Sequence, residues 1–169
     1  MNDWTLDIVD ISVIIPVWNE VENLAAIVEI LVGNSPCPAR IVLGDGGSAG
    51  GTIGIERDLA GRHEIVHLVE AGDAWPGRAR NLGVAATSTK WILLVDAGVE
   101  SDSNLVQNFG EALEQSPGAR MIIGSYACLS TPRWRSAVII ATKPPRSECD
   151  GHRGRIRLRA MPYRAGLLQ

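Results

Sequence analysis

Two carboxylates stand just beyond short apolar runs: Asp45 follows Arg40–Leu43 and Gly44, and Asp96 follows Trp91–Val95. A charge this close to buried-type sequence needs a partner, either a hydrogen-bond donor or a divalent cation. Asp45 also opens the stretch Gly46-Gly47-Ser48-Ala49-Gly50-Gly51-Thr52, where glycines let backbone amides approach an anionic or planar ligand. The same residue serves equally well as a turn aspartate bonded to its own backbone. This loop is not G-x-G-x-x-G, and it lacks the Lys of a P-loop. A third cluster, Gly77-Arg78-Ala79-Arg80-Asn81, follows Pro76 and leads into an apolar helical stretch. Guanidinium groups at a helix entrance suit a diphosphate, because bidentate hydrogen bonds and helix N–H groups act on the same oxygens. Solvated surface arginines are the plain alternative. Pro16 and Glu20, finally, bracket the exit of the first apolar run, Ser12–Val17. A purely structural account also covers this segment, with Asn19 capping the next helix, Glu22 completing a capping box and Glu20 favoured by the positive helix terminus.

These residues need elements to position them. Ser12–Val17, Arg40–Leu43, Glu64–Val69, Trp91–Val95 and Arg120–Ile123 are short and rich in Val and Ile, and several lack alternation, as strands covered on both faces do. Leu24, Ile27, Val28 and Leu31 follow the i, i+3, i+4, i+7 pattern of an amphipathic helix that Gly33 can end. Further helices are predicted over Thr52–Leu59, Arg78–Ala86 and Asn104–Leu113. Strands alternating with helices predict an α/β fold with a mostly parallel sheet, in which ligands bind at the carboxyl edge of the strands. After Tyr126 the pattern weakens. Prolines at 132, 144 and 145 interrupt it, and only Ala137–Ala141 still reads as a core element.

Composition narrows the function. In 169 residues the net charge is −3, but residues 143–169 hold seven Lys/Arg against two Asp/Glu, a local +5 that leaves −8 on the rest. An acidic body of this kind predicts no nucleic-acid partner. Cys37, Cys128 and Cys149 leave an odd thiol under any pairing, which fits a reducing cytoplasm. The acidic N-terminus resembles no signal sequence, and no apolar run approaches the ~20 residues needed to span a bilayer.

Taken together and in order, PVWNE at 16–20, Asp45 in DGGSAGGT, ARNLG at 79–83 and VDAG at 95–98 resemble the inverting family 2 glycosyltransferases of GT-A fold. The resemblance covers residues 11–126. It implies a three-layer sandwich whose nucleotide-sugar half is 11–126, with 127–169 an irregular basic segment and the acceptor half missing or shortened. It further implies transfer of a sugar, with inversion, from a nucleoside-diphosphate sugar of UDP or GDP type to an unknown acceptor. Pro16 and Glu20 would line the nucleotide pocket, Asp45 would contact the base, and Arg80 and Asn81 would lie near the sugar-diphosphate. Asp96 matches the first carboxylate of the Asp-x-Asp motif, which works at the ribose and at a divalent cation, Mg²⁺ or Mn²⁺. The second carboxylate of that motif is Gly98 here, and Gly46 and Gly50 replace acids common in the second loop.

Family catalytic domains continue into a half that supplies the general base. In this chain Glu148 and Asp150 are the residues left for that role, and neither lies in a family motif. A nucleotide-binding remnant without activity is therefore the alternative expectation. The basic end reads as a solvated tail, as a cationic strand meeting anionic lipid at the inner membrane face or a phosphorylated acceptor, or as the product of truncation or an altered frame beginning near Lys143. Apolar surface left where the missing half would pack predicts self-association.

Overall fold

The computed structural model describes residues 10–73, 75–99, 101–116, 120–123 and 139–142. Ten elements follow in chain order: β1 (Ile11–Val17), α1 (Leu24–Val32), β2 (Arg40–Asp45), α2 (Thr52–Arg62), β3 (Val66–Glu70), α3 (Pro76–Ala85), β4 (Trp91–Leu94), α4 (Leu105–Gln115), β5 (Met121–Ile123) and β6 (Ile139–Thr142). They build one sheet of order β3-β2-β1-β4-β6-β5. The first four strands are parallel, while β6 runs antiparallel to both β4 and β5. The absence of alternation in β1 has the anticipated cause, since all seven of its residues are buried.

Alternate residues of each central strand feed two apolar layers. Val13, Ile15, Ile41, Leu43 and Leu93 face the larger one, which contains Leu24, Ile27, Val28 and Leu31 of α1, Leu59 of α2, and Val106 and Phe109 of α4. Each fully buried aliphatic side chain here contributes about 2 kcal/mol relative to exposure. Ile14, Val42, Ile92 and Leu94 face the other layer together with Val84 of α3. Helix α3 comes unusually close to the sheet. A Cβ on Gly44 would lie 2.8 Å from the Ala79 carbonyl oxygen, and one on Gly83 would lie 2.6 Å from Ile14 Cγ2.

Two local expectations are corrected and one is met. Asn19 does not cap α1: the helix begins after Asn23, without a side-chain cap, because Asn19 occupies the left-handed region at φ 56° and commits its side chain elsewhere. Gly33 does end α1, but at φ −78° rather than in a left-handed turn. The next residue, buried Asn34, does the terminal work: Nδ2 donates to the Ile30 carbonyl (2.7 Å) and Oδ1 accepts from the Val106 amide of α4 (3.0 Å). One side chain thus satisfies the free carbonyl of one helix end and the free amide of another. Finally, β3 starts two residues later than predicted, because Val66 N–H closes a turn onto the His63 carbonyl.

Pro16 sits inside a central strand without breaking it. Ile14 faces β4 and accepts the Val95 amide, so Pro16, two residues on, turns its missing N–H toward the same side at a level where β4 pairing has already ended. Its other neighbour in register is Gly44 of β2.

Candidate functional site

Strand order reverses direction at β1, with β2 and β3 on one side and β4 on the other. In an open α/β sheet that switch point, at the carboxyl ends of the strands, is where a crevice forms. The loops leaving β1, β2 and β4 and the start of α3 meet there through five contacts. Asn19 N–H donates to Ser48 Oγ (3.0 Å), and Asn19 Oδ1 accepts the Ala49 amide (2.8 Å), which stitches the β1 loop to the β2 loop. Gly44 of β2 lies against Ala79 of α3. Arg80, the next residue of α3, donates to Asp96 in the β4 loop through a partly buried ion pair. Glu20 closes the ring, its Oε1 lying 3.4 Å from where a Cβ on Gly98 would stand.

Each sequence-derived candidate can now be placed. Asp45 is buried at the end of β2 and accepts the amides of Gly47 (3.1 Å) and Ser48 (3.0 Å), so it does shape its own turn. A carboxylate has about four acceptor positions, so these bonds leave capacity for a ligand donor. Gly47, at φ 90°, supplies the left-handed residue this turn requires. Asp96 has the partner its position demanded, and that partner is Arg80. Glu20 is half-buried, whereas Asn81 and Arg78 are exposed. Glu148 and Asp150 lie outside the described residues. Among the described residues no group of three or more His, Cys, Asp or Glu side chains is arranged to hold a metal ion. A cation bridging a diphosphate takes few protein oxygens, so Asp96 fits as a single carboxylate ligand, with Glu20 at the Gly98 backbone.

A sequence model described as Glycosyl transferase family 2 matches residues 12–160. The chain belongs to glycosyl transferase family 2. No curated protein matches it by sequence. Among solved structures, the mannosyltransferase PcManGT from Pyrobaculum calidifontis, in complex with GDP-Man and Mn²⁺, superposes with TM-score 0.64 at 15% identity, covering 79% of this chain and 44% of that one. Mannosyl-3-phosphoglycerate synthase from Rubrobacter xylanophilus gives TM-score 0.62 at 16% identity, covering 78% and 53%. S. aureus TarS 1-349 gives 0.61 at 16%, covering 75% and 38%. The fold is that of GT-A glycosyltransferases, and the chain spans 38 to 53% of the length of these three proteins.

Some residues of this ring of contacts were not legible in advance. Ser48 and Asn19 stand within the motifs quoted above, but nothing in their type or spacing signals the hydrogen bonds that join the two loops or the left-handed backbone of Asn19. Trp18 and Trp75 stand exposed on loops at this edge, 63% and 88% accessible. Glu56, on the inner face of α2, is fully buried, and burial, aided by Asp45 and Glu70, pushes its carboxyl up to about 7. Its signal was present: Thr52, Glu56 and Leu59 share the i, i+4, i+7 face that a helix buries.

Proposed function

We propose that the ring at the switch point is the donor site of a nucleotide-sugar glycosyltransferase, and that sugar passes to an acceptor with inversion at the anomeric carbon. The observation that carries this reading is the closure of four loops and helix ends, by Asn19, Gly44, Arg80 and Glu20, around Asp45 and Asp96. Asp45 would accept the imide or amide N–H of the base, and the exposed indole of Trp18 offers that ring a flat apolar face. Arg80, released from Asp96, would turn to the diphosphate, joined by the N-terminal amides of α3. Asp96 would then be free for the ribose and for a divalent cation, which supplies neutralisation of the leaving diphosphate. The mannosyltransferase from Pyrobaculum calidifontis, solved with GDP-Man and Mn²⁺, supports a donor of this class. S. aureus TarS was also solved with UDP and with UDP-GlcNAc.

An acceptor hydroxyl attacking in line needs a base and an orienting surface, and Glu148 or Asp150 is proposed as that base. A second reading, a donor-binding remnant without turnover, is favoured by Gly98 standing where the family's Asp-x-Asp motif has its second carboxylate. Calorimetric titration with UDP and GDP, with and without Mn²⁺, tests the donor site. Asp45→Ala is expected to weaken binding by roughly tenfold or more, the worth of a charge-assisted hydrogen bond. Asp96→Ala is expected to abolish the Mn²⁺ dependence. A folded wild-type chain that binds neither nucleotide under either condition refutes the reading, and turnover of any sugar donor eliminates the remnant.

A further inference from the structure

Glu56 is an acid where the fold calls for an apolar side chain. It lies on the buried face of α2 between Thr52 and Leu59, and both of its carboxyl oxygens, together with Thr52 Oγ1, lack a hydrogen-bond partner among the described residues. An ionised carboxylate in such a place is unfavourable by several kcal/mol in any realistic dielectric, so it stays protonated until pH forces the proton off. The charges that act on it come from three elements. Asp45 at the end of β2 and Glu70 at the end of β3 oppose its ionisation, while Arg57 of α2 favours it. Arg57 is itself drawn outward to Glu70, at 3.4 Å on the exposed surface. From α1, Glu29 pairs with Arg62 and His63 at the far end of α2.

Placement makes this acid relevant to the site. Thr52 is the first residue of α2 and the last of the glycine-rich loop, so the orphaned atoms lie at the base of the loop whose Gly47 and Ser48 amides bind Asp45. We propose that Glu56, as the neutral acid, is a positioning residue for the Asp45 loop, and that its ionisation draws water to the base of the loop, repels Asp45 and loosens the nucleotide pocket. It rests on the donor-site reading for the ligand, though not for the loop. The consequence is a donor affinity that declines as pH rises through neutrality. The loss is severalfold, because one added negative charge at the base of the loop repels a doubly charged diphosphate even at water-like screening.

The test has two arms. In the first, amide hydrogen exchange of Gly47 and Ser48 is followed by NMR from pH 6 to 9, corrected for intrinsic rates, in wild type, Glu56→Gln and Glu56→Leu. Protection is expected to fall about tenfold across this range in wild type and to stay level in both variants; the Leu variant keeps the site neutral by a different packing. In the second, UDP and GDP affinity is measured over the same range, and the ratio of wild type to variant removes the titration of the ligand's own phosphates. Equal protection profiles in all three proteins overturn the proposal, as does a wild-type to variant affinity ratio that ignores pH. Protection lost in wild type only, with no nucleotide bound at any pH, upholds the positioning role and refutes the donor-site reading.

Discussion

Helix α3 carries Arg80 to Asp96 because it lies almost on the sheet, and Gly44 is the residue that lets it. Replacing Gly44 by Ala puts a methyl carbon 2.8 Å from the Ala79 carbonyl oxygen and 3.2 Å from its carbonyl carbon. Both are backbone atoms of a helix, so no side-chain rotation relieves the contact. Gly44 is itself held between Pro16 and Val69 in register, so the strand cannot retreat either. The helix must move outward by about 0.5 Å, and overpacking of this kind costs about 1–3 kcal/mol. For a chain of this size each kcal/mol lowers Tm by about 2–4 °C, so a drop of about 2–12 °C is expected. Gly54→Ala is the matched control. A Cβ there meets nothing within 4 Å, and relief of glycine's backbone entropy inside a helix adds about 0.5–1 kcal/mol. Thermal unfolding followed by circular dichroism reads both variants, and nucleotide titration reads whether the displaced α3 still presents Arg80. Gly44→Ala melting within a degree of wild type would show that the close approach does not determine how α3 is seated. Destabilisation with unchanged nucleotide affinity would show instead that the seating of α3 does not govern the site.

Two further outcomes are expected. The Glu56 carboxyl, raised from 4.5 to about 7, is protonated in both folded and unfolded chains below pH 4.5. Between those values only the unfolded chain releases the proton, so stability falls as pH rises, by about 3 kcal/mol in all, and then levels off. Urea unfolding at pH 4.5 and 8 should show that decline in wild type relative to Glu56→Gln, and parallel behaviour of the two would disprove the assignment. Asn19→Ala removes the acceptor for the Ala49 amide and forces alanine to φ 56°, with an expected loss of about 1–2 kcal/mol. Asn19→Gly, which is free at that φ, should lose less in the same unfolding assay, and equal losses would place the cost in the hydrogen bond alone.

The sequence by itself determined the elements and their order. Val/Ile runs and the Leu24-Ile27-Val28-Leu31 stripe are local periodicities, and burial follows them directly: those four residues are the buried face of α1. It also determined which chemistry stands at which strand end, since Asp45, Asp96 and Glu20 all emerge at the carboxyl edge where the motifs put them. What no local pattern contains is who neighbours whom. That β4 lies beside β1, and that β6 separates it from β5, depends on packing two apolar faces at once. Only that arrangement brings Arg80 to Asp96 across 16 residues and Asn19 to Ala49 across 30. The misreading of Asn19 as a helix cap has the same origin. A polar residue before a helix satisfies whichever amide the tertiary fold presents, and here the Asp45 loop presented one before α1 began. Glu56 marks the limit from the other side, because helical spacing alone put a carboxyl on a buried face, while its nearness to Asp45 and Glu70 exists only once β2, β3 and α2 have packed together.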